Sequence, residues 1–155
     1  MKDVPRAIPI GKAELLQHGD HDRVSIFALG ALVPMAREIA SRLEGQGVSS
    51  AVINARFAKP IDSEMVEFYA PNVEVILTLE DHVLAGGYGK GVLKALSNAR
   101  INTPVVRISW PDQFIEHGKP EDLRAKYGIS VGAALEQLRP YLQPDSQPKL
   151  TVRDT

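Results

Sequence analysis

At 155 residues the chain is long enough for one α/β domain, which buries roughly 68–70% of its unfolded surface. Hydrophobic residues make up 44% and charged residues 24%, an ordinary globular composition. Lysine and arginine total 18 against 19 acids, a net charge of −1 without the basic excess of a nucleic-acid binder. With no cysteine, disulfides, thiolate nucleophiles and cysteine zinc sites are excluded.

The segment MKDVPRAIPIGK has no apolar run of the kind that marks a secretory signal. The most apolar stretch, Val24–Ala36, is interrupted by Ser25 and Pro34 and falls short of the about 20 residues a membrane helix requires. A cytoplasmic protein with neither membrane nor nucleic-acid partner is expected.

In chain order, Ala13–Gln17 reads as an edge strand. Val24–Leu29, Ser50–Asn54, Glu74–Leu79 and Val105–Ser109 are continuous aliphatic and β-branched runs, which suit strands covered on both faces. Helical patterns lie between them. Val33, Ala36, Ala40 and Leu43 recur at helical spacing, with Pro34 in the first turn and Gly45 or Gly47 at the end. A shorter helix follows Asp62 and Ser63, either of which can cap it. Tyr88, Val92, Leu93 and Leu96 form the stripe of a third helix. Pro120 and Gly128 bracket a short helix, and Val131, Leu135, Leu138 and Leu142 mark the last, with Ser130 as its N-cap. Strands alternating with helices predict a parallel sheet inside a three-layer α/β/α domain over residues 1–142. Residues 143–155, polar and proline-containing, are expected to fray.

Parallel strands bring their carboxyl ends to one edge, where open α/β sheets meet ligands or partners. Gly30, then Arg56, Lys59 and Pro60, then Glu80-Asp81-His82, then Trp110, Asp112 and His117 follow successive core strands. Taken singly, each also serves as a helix cap or loop brace, and fold position alone establishes no chemistry. The stretch EDHVLAGGYGKG, residues 80–91, invites a phosphate-cradle reading, but neither phosphate motif is satisfied. Val92 stands where a dinucleotide fingerprint needs its last glycine. Gly91 and Leu84 occupy the P-loop positions for Ser/Thr and the first glycine. A glycine-rich helix start remains, where Gly86 and Gly87 permit φ > 0 or close approach and the free amides attract an anion, a neighbouring carboxylate included. His82 stands beside two carboxylates but lacks the reactive partner a general base needs. His18 and His21, in HGDHD, read as a solvated turn, since no third ligand of known spacing accompanies them. There is no G-x-S-x-G elbow and no H-E-x-x-H.

Four stretches in register, IPIGKAELL, INARFAKPID, LEDHVLAGGYGKGV and PDQFIEHG, resemble the C-terminal domain of the thiamine-diphosphate-dependent transketolase family. The resemblance spans about Ile8 to Leu142 and is strongest to the family's 1-deoxy-D-xylulose-5-phosphate synthase branch. Glu80-Asp81-His82 stands where that branch often has Glu-Glu-Asn and is nearer transketolase proper. The resemblance implies a five-stranded, mostly parallel sheet with its first strand antiparallel. It also implies that thiamine diphosphate and magnesium are held by the family's N-terminal and central domains, so that this domain supplies no catalytic, cofactor-binding or metal-binding residue and is inactive alone. Its role would then be assembly with those domains, in the same or a separate chain, within a homo-oligomer, a dimer in the parent enzyme. The interface candidates are Arg56, Lys59, Glu80, Asp81, His82, Gly86, Gly87, Asp112 and His117. In the synthase branch the parent reaction joins pyruvate to glyceraldehyde 3-phosphate for isoprenoid precursor synthesis. The competing readings are a transketolase or oxo-acid dehydrogenase E1 β section, and a stand-alone small-anion-binding regulatory module.

Overall fold

The computed structural model describes residues 7–143. The expected tail therefore lies, beyond Gln143, outside the described residues, as do residues 1–6. Five strands, β1 (Glu14–Gln17), β2 (Val24–Ala28), β3 (Ser50–Asn54), β4 (Val75–Val83) and β5 (Val105–Trp110), form one sheet in the order β1-β3-β2-β4-β5. β1 runs antiparallel to β3, and the other pairs are parallel. The helices are α1 (Val33–Glu44), α2 (Ser63–Tyr69), α3 (Tyr88–Ala99), α4 (Pro120–Lys126) and α5 (Val131–Leu142).

Burial on both faces explains the unbroken apolar strands. Every residue of β2 is buried, and its side chains alternate between two cores. Ile26 packs with Ile39 and Leu43 of α1 and Leu138 of α5. Phe27 packs on the other face with Val66 of α2 and Val92 and Leu96 of α3. A fully buried side chain of this size contributes about 2–3 kcal/mol, so the three-layer arrangement follows from the central strand's own composition.

The caps are local. The Asp62 carboxylate accepts from the Met65 amide at 3.2 Å, opening α2, and from the Ala13 amide at 2.9 Å, which ties the entry of β1 to the same point. Ser130 Oγ accepts from the Ala133 amide at 3.2 Å at the start of α5. HGDHD forms a turn in which Asp22 accepts from Ser49 Oγ at 2.6 Å and from the Gly19 amide at 3.1 Å.

One boundary differs from expectation. Glu80, Asp81 and His82, expected beyond the third core strand, lie within β4. Their polarity suggests a loop, but β5 accompanies the strand through an irregular stretch, Val83 opposite Trp110, and the Leu84 amide donates to the Trp110 carbonyl at 2.9 Å.

Candidate functional site

The parallel register brings the carboxyl ends of β2, β3, β4 and β5 to one rim. Glu80 is its buried member, with 1% of its surface exposed. Its carboxylate accepts hydrogen bonds from the backbone amides of Tyr88 and, at 3.0 Å, Gly89. These are the unpaired donors of the first turn of α3, whose N-cap, Gly87, has no side chain to offer them. A negative charge there also complements the helix dipole. The anion attracted by this helix start is thus a carboxylate of the same domain.

That carboxylate accounts for the glycines. A Cβ on Gly87 would lie 2.2 Å from Glu80 Oε2 and 2.7 Å from the Val83 carbonyl oxygen. A Cβ on Gly89 would lie 2.8 Å from both Thr78 Oγ1 and Arg107 Cδ. Gly86 has open space around it but takes φ of +78°, a conformation that disfavours other residues. Burial pushes the Tyr88 phenol well above its usual range, with the Asp62 and Glu80 charges adding to the effect.

Asp81 turns to a different set of partners. It accepts from Trp110 Nε1 at 2.6 Å and pairs with Arg124 of α4 at 2.5 Å. Burial opposes its ionisation, but the Arg124 and Trp110 hydrogen bonds and the Arg124 charge outweigh this and hold it below the usual carboxylate range. The Trp110 and Tyr127 rings stand 5.8 Å apart, and Tyr127 Oη donates to Glu116 at 2.6 Å. Glu116 also pairs with Lys126. The network ties β4, β5 and α4 to the loop over residues 111–119, on which Phe114 is fully exposed.

The remaining sequence candidates divide between these surroundings. Lys59, Glu80, His82, Gly86 and Gly87 line one cleft of about 1160 Å³ beside α3. The exposed His82 ring has Nδ1 3.4 Å from the Val83 carbonyl oxygen. Arg56, at φ of 58°, pairs with Glu14 of β1 at 2.7 Å and so braces the edge strand. Asp112 and His117 are exposed on the rim and make no hydrogen bond or ion pair among the described residues. Arg124, Tyr127 and Glu116 were not singled out by the sequence. Their contacts join positions as far as 43 residues apart, so no local spacing signals them.

Residues 11–133 match the family model described as transketolase, C-terminal domain. Over 142 residues the chain is 55% identical to 1-deoxy-D-xylulose-5-phosphate synthase of Acidobacterium capsulatum, covering 92% of this chain and 22% of that protein. Over 153 residues it is 49% identical to the synthase of Methylacidiphilum infernorum, covering 98% of this chain and 24% of that one. The chain thus spans about a quarter or less of these curated relatives. Among solved structures it superposes with a TM-score of 0.78 and 31% identity on a chain described as split gene transketolase, inactive beta4 tetramer, covering 87% of this chain and 43% of that one. Transketolase from Campylobacter jejuni, at 19% identity and a TM-score of 0.61, shares the fold over 83% of this chain and 18% of its own.

Proposed function

The chain belongs to the transketolase C-terminal domain family, and on that premise we propose that it is the docking section of a thiamine-diphosphate-dependent transferase, a 1-deoxy-D-xylulose-5-phosphate synthase. Bond making, on this reading, occurs on polypeptide outside these 155 residues. The whole enzyme would join pyruvate to glyceraldehyde 3-phosphate with release of carbon dioxide.

The state of Glu80 carries the proposal. It is a buried carboxylate of the rim, and its oxygens are engaged by backbone amides of α3. A glutamate held in this way stabilises a helix start, and its oxygens are already used by the chain's own amides. When bound, thiamine diphosphate supplies the carbanion chemistry and requires a metal for its diphosphate. Among the described residues no group of three or more His, Cys, Asp or Glu is placed to hold a metal ion.

The rim fits assembly better. Gly86 leaves its backbone open to close approach, Asp112 and His117 stand unpaired among the described residues, and Phe114 projects from a braced loop. Exposed aromatics on preorganised backbone make strong interface anchors. The relative described as a split-gene transketolase, of which this section matches 43%, supports an arrangement in which the section and further polypeptide are carried on a chain separate from the rest of the enzyme. A homo-oligomer in the cytoplasm is part of the same reading. No helix among the described residues is long and apolar enough to cross a membrane.

Calorimetric titration of thiamine diphosphate and magnesium into the purified chain tests the proposal, with native mass measurement of the assembly it forms in its own cells. No saturable cofactor binding, together with a larger assembly that includes the other enzyme sections, is expected. Stoichiometric cofactor binding by the chain alone contradicts it.

A further inference from the structure

The cleft beside α3 has an apolar floor and a cationic rim. Leu29, Ile61 and Leu93 contribute to the floor, and Lys59, Lys90 and Lys94 stand around it. Lys90 and Lys94 are four residues apart on α3 and so share one face. None of the three has a hydrogen-bond or ion-pair partner for its side chain among the described residues, whereas Lys12 pairs with Glu64 and Lys126 with Glu116. Glu80, the one carboxylate among the described residues lining the cleft, is held by the amides of α3. The cleft therefore presents unbalanced positive charge above an apolar surface.

We propose that this cleft receives an acidic, apolar segment of the polypeptide that completes the enzyme, and that its three lysines set the register of docking. The inference rests on the docking function proposed above and names the surface and the chemistry of its occupant. Charge complementarity requires carboxylates, and the floor requires apolar side chains between them. At about 1160 Å³ the cleft exceeds the usual 300–1,000 Å³ of a small-molecule pocket. Relatives of this chain carry more than three-quarters of their length outside the matched section, so ample polypeptide exists to fill it.

Carbodiimide coupling of the complete enzyme, followed by peptide mass spectrometry, tests this directly. Lys90 or Lys94 should be joined to Asp or Glu residues outside positions 1–155. In parallel, the double substitution Lys90→Glu with Lys94→Glu should weaken assembly on the order of tenfold or more, because like charges then face each other. The control pair Arg37→Glu with Arg139→Glu, on α1 and α5, changes net charge equally and should leave assembly unaltered. Mixed isotope labelling distinguishes a second copy as occupant, since coupling would then join two copies of this chain. Protection of the lysines in the lone chain by a low-molecular-weight cell fraction would identify a small molecule instead. Either result overturns the proposal, as does an enzyme in which these lysines couple to nothing. If a larger assembly forms but the lysines stay free, the cleft assignment fails while the docking function stands. If no larger assembly exists, both fall.

Discussion

The Glu80 carboxylate occupies the space that a side chain at Gly87 would need: a Cβ there would fall 2.2 Å from Oε2. The same carboxylate holds the first amides of α3, so the glycine and the acid form one device for starting a helix. Gly87→Ala should destabilise the chain by about 1–3 kcal/mol through overpacking. Glu80→Ala should cost about 2–3 kcal/mol by leaving buried donors without a charged acceptor. The double variant should be less destabilised than the sum, by at least about 0.5 kcal/mol, since removing the carboxylate relieves the nearer of the two clashes and leaves only that with the Val83 carbonyl. Denaturant unfolding of the four proteins measures this coupling, and strict additivity would separate the two residues.

Asp81 links acid stability to a spectroscopic signal. Its folded-state value lies below its unfolded one, because the hydrogen bonds and charge of Arg124 and the Trp110 indole outweigh the cost of burial. Its contribution is therefore fully present above the unfolded carboxylate value of about 3.9 and is lost as pH falls through the folded value. Glu116, held down to about 2 by Lys126 first and then Tyr127, adds to the same acid limb. Trp110 is the chain's one tryptophan, so its emission should shift as the solution is acidified below pH about 4. Asp81→Asn should show the acid-like emission at neutral pH and lose most of the titration. An unchanged acid transition in that variant would remove Asp81 from the network.

Phe114 should separate folding from assembly. It touches solvent on all sides, so Phe114→Ala should change the stability of the chain by no more than about 0.5 kcal/mol. In the complete enzyme the same change should weaken association by roughly 2 kcal/mol, the scale of a buried aromatic anchor. Sedimentation across a concentration series reads the second effect and thermal unfolding the first. Equal association of variant and parent would place Phe114 outside the interface.

Local signals made much of this fold legible. Apolar runs located the core strands, and short-range capping placed Ser130 and narrowed the start of α2 to Asp62 or Ser63, of which Asp62 is the cap, because each cap bonds an amide three residues away. The glycine-rich helix start was also legible, since one phosphate motif failed at Val92 and the other at Leu84 and Gly91, and a neighbouring carboxylate stood among the anions its free amides attract. The full length of β4 was not. Glu80, Asp81 and His82 carry loop-like polarity, and the partners that make it tolerable in a strand lie on α3, α4 and β5. The bracing of the rim by Arg124, Tyr127 and Glu116 is tertiary in origin, as is the gathering of Lys59, Lys90 and Lys94 around one cleft. Arg56 carries a polarity that suits an outward-facing contact, yet its guanidinium is turned to Glu14 of the edge strand.

The most direct test is turnover. The purified chain, given pyruvate, glyceraldehyde 3-phosphate, thiamine diphosphate and magnesium, should form no carboligation product and release no carbon dioxide above background. Combined with the polypeptide that carries the other enzyme sections, it should restore both. Product formation by these 155 residues unaided would contradict the account.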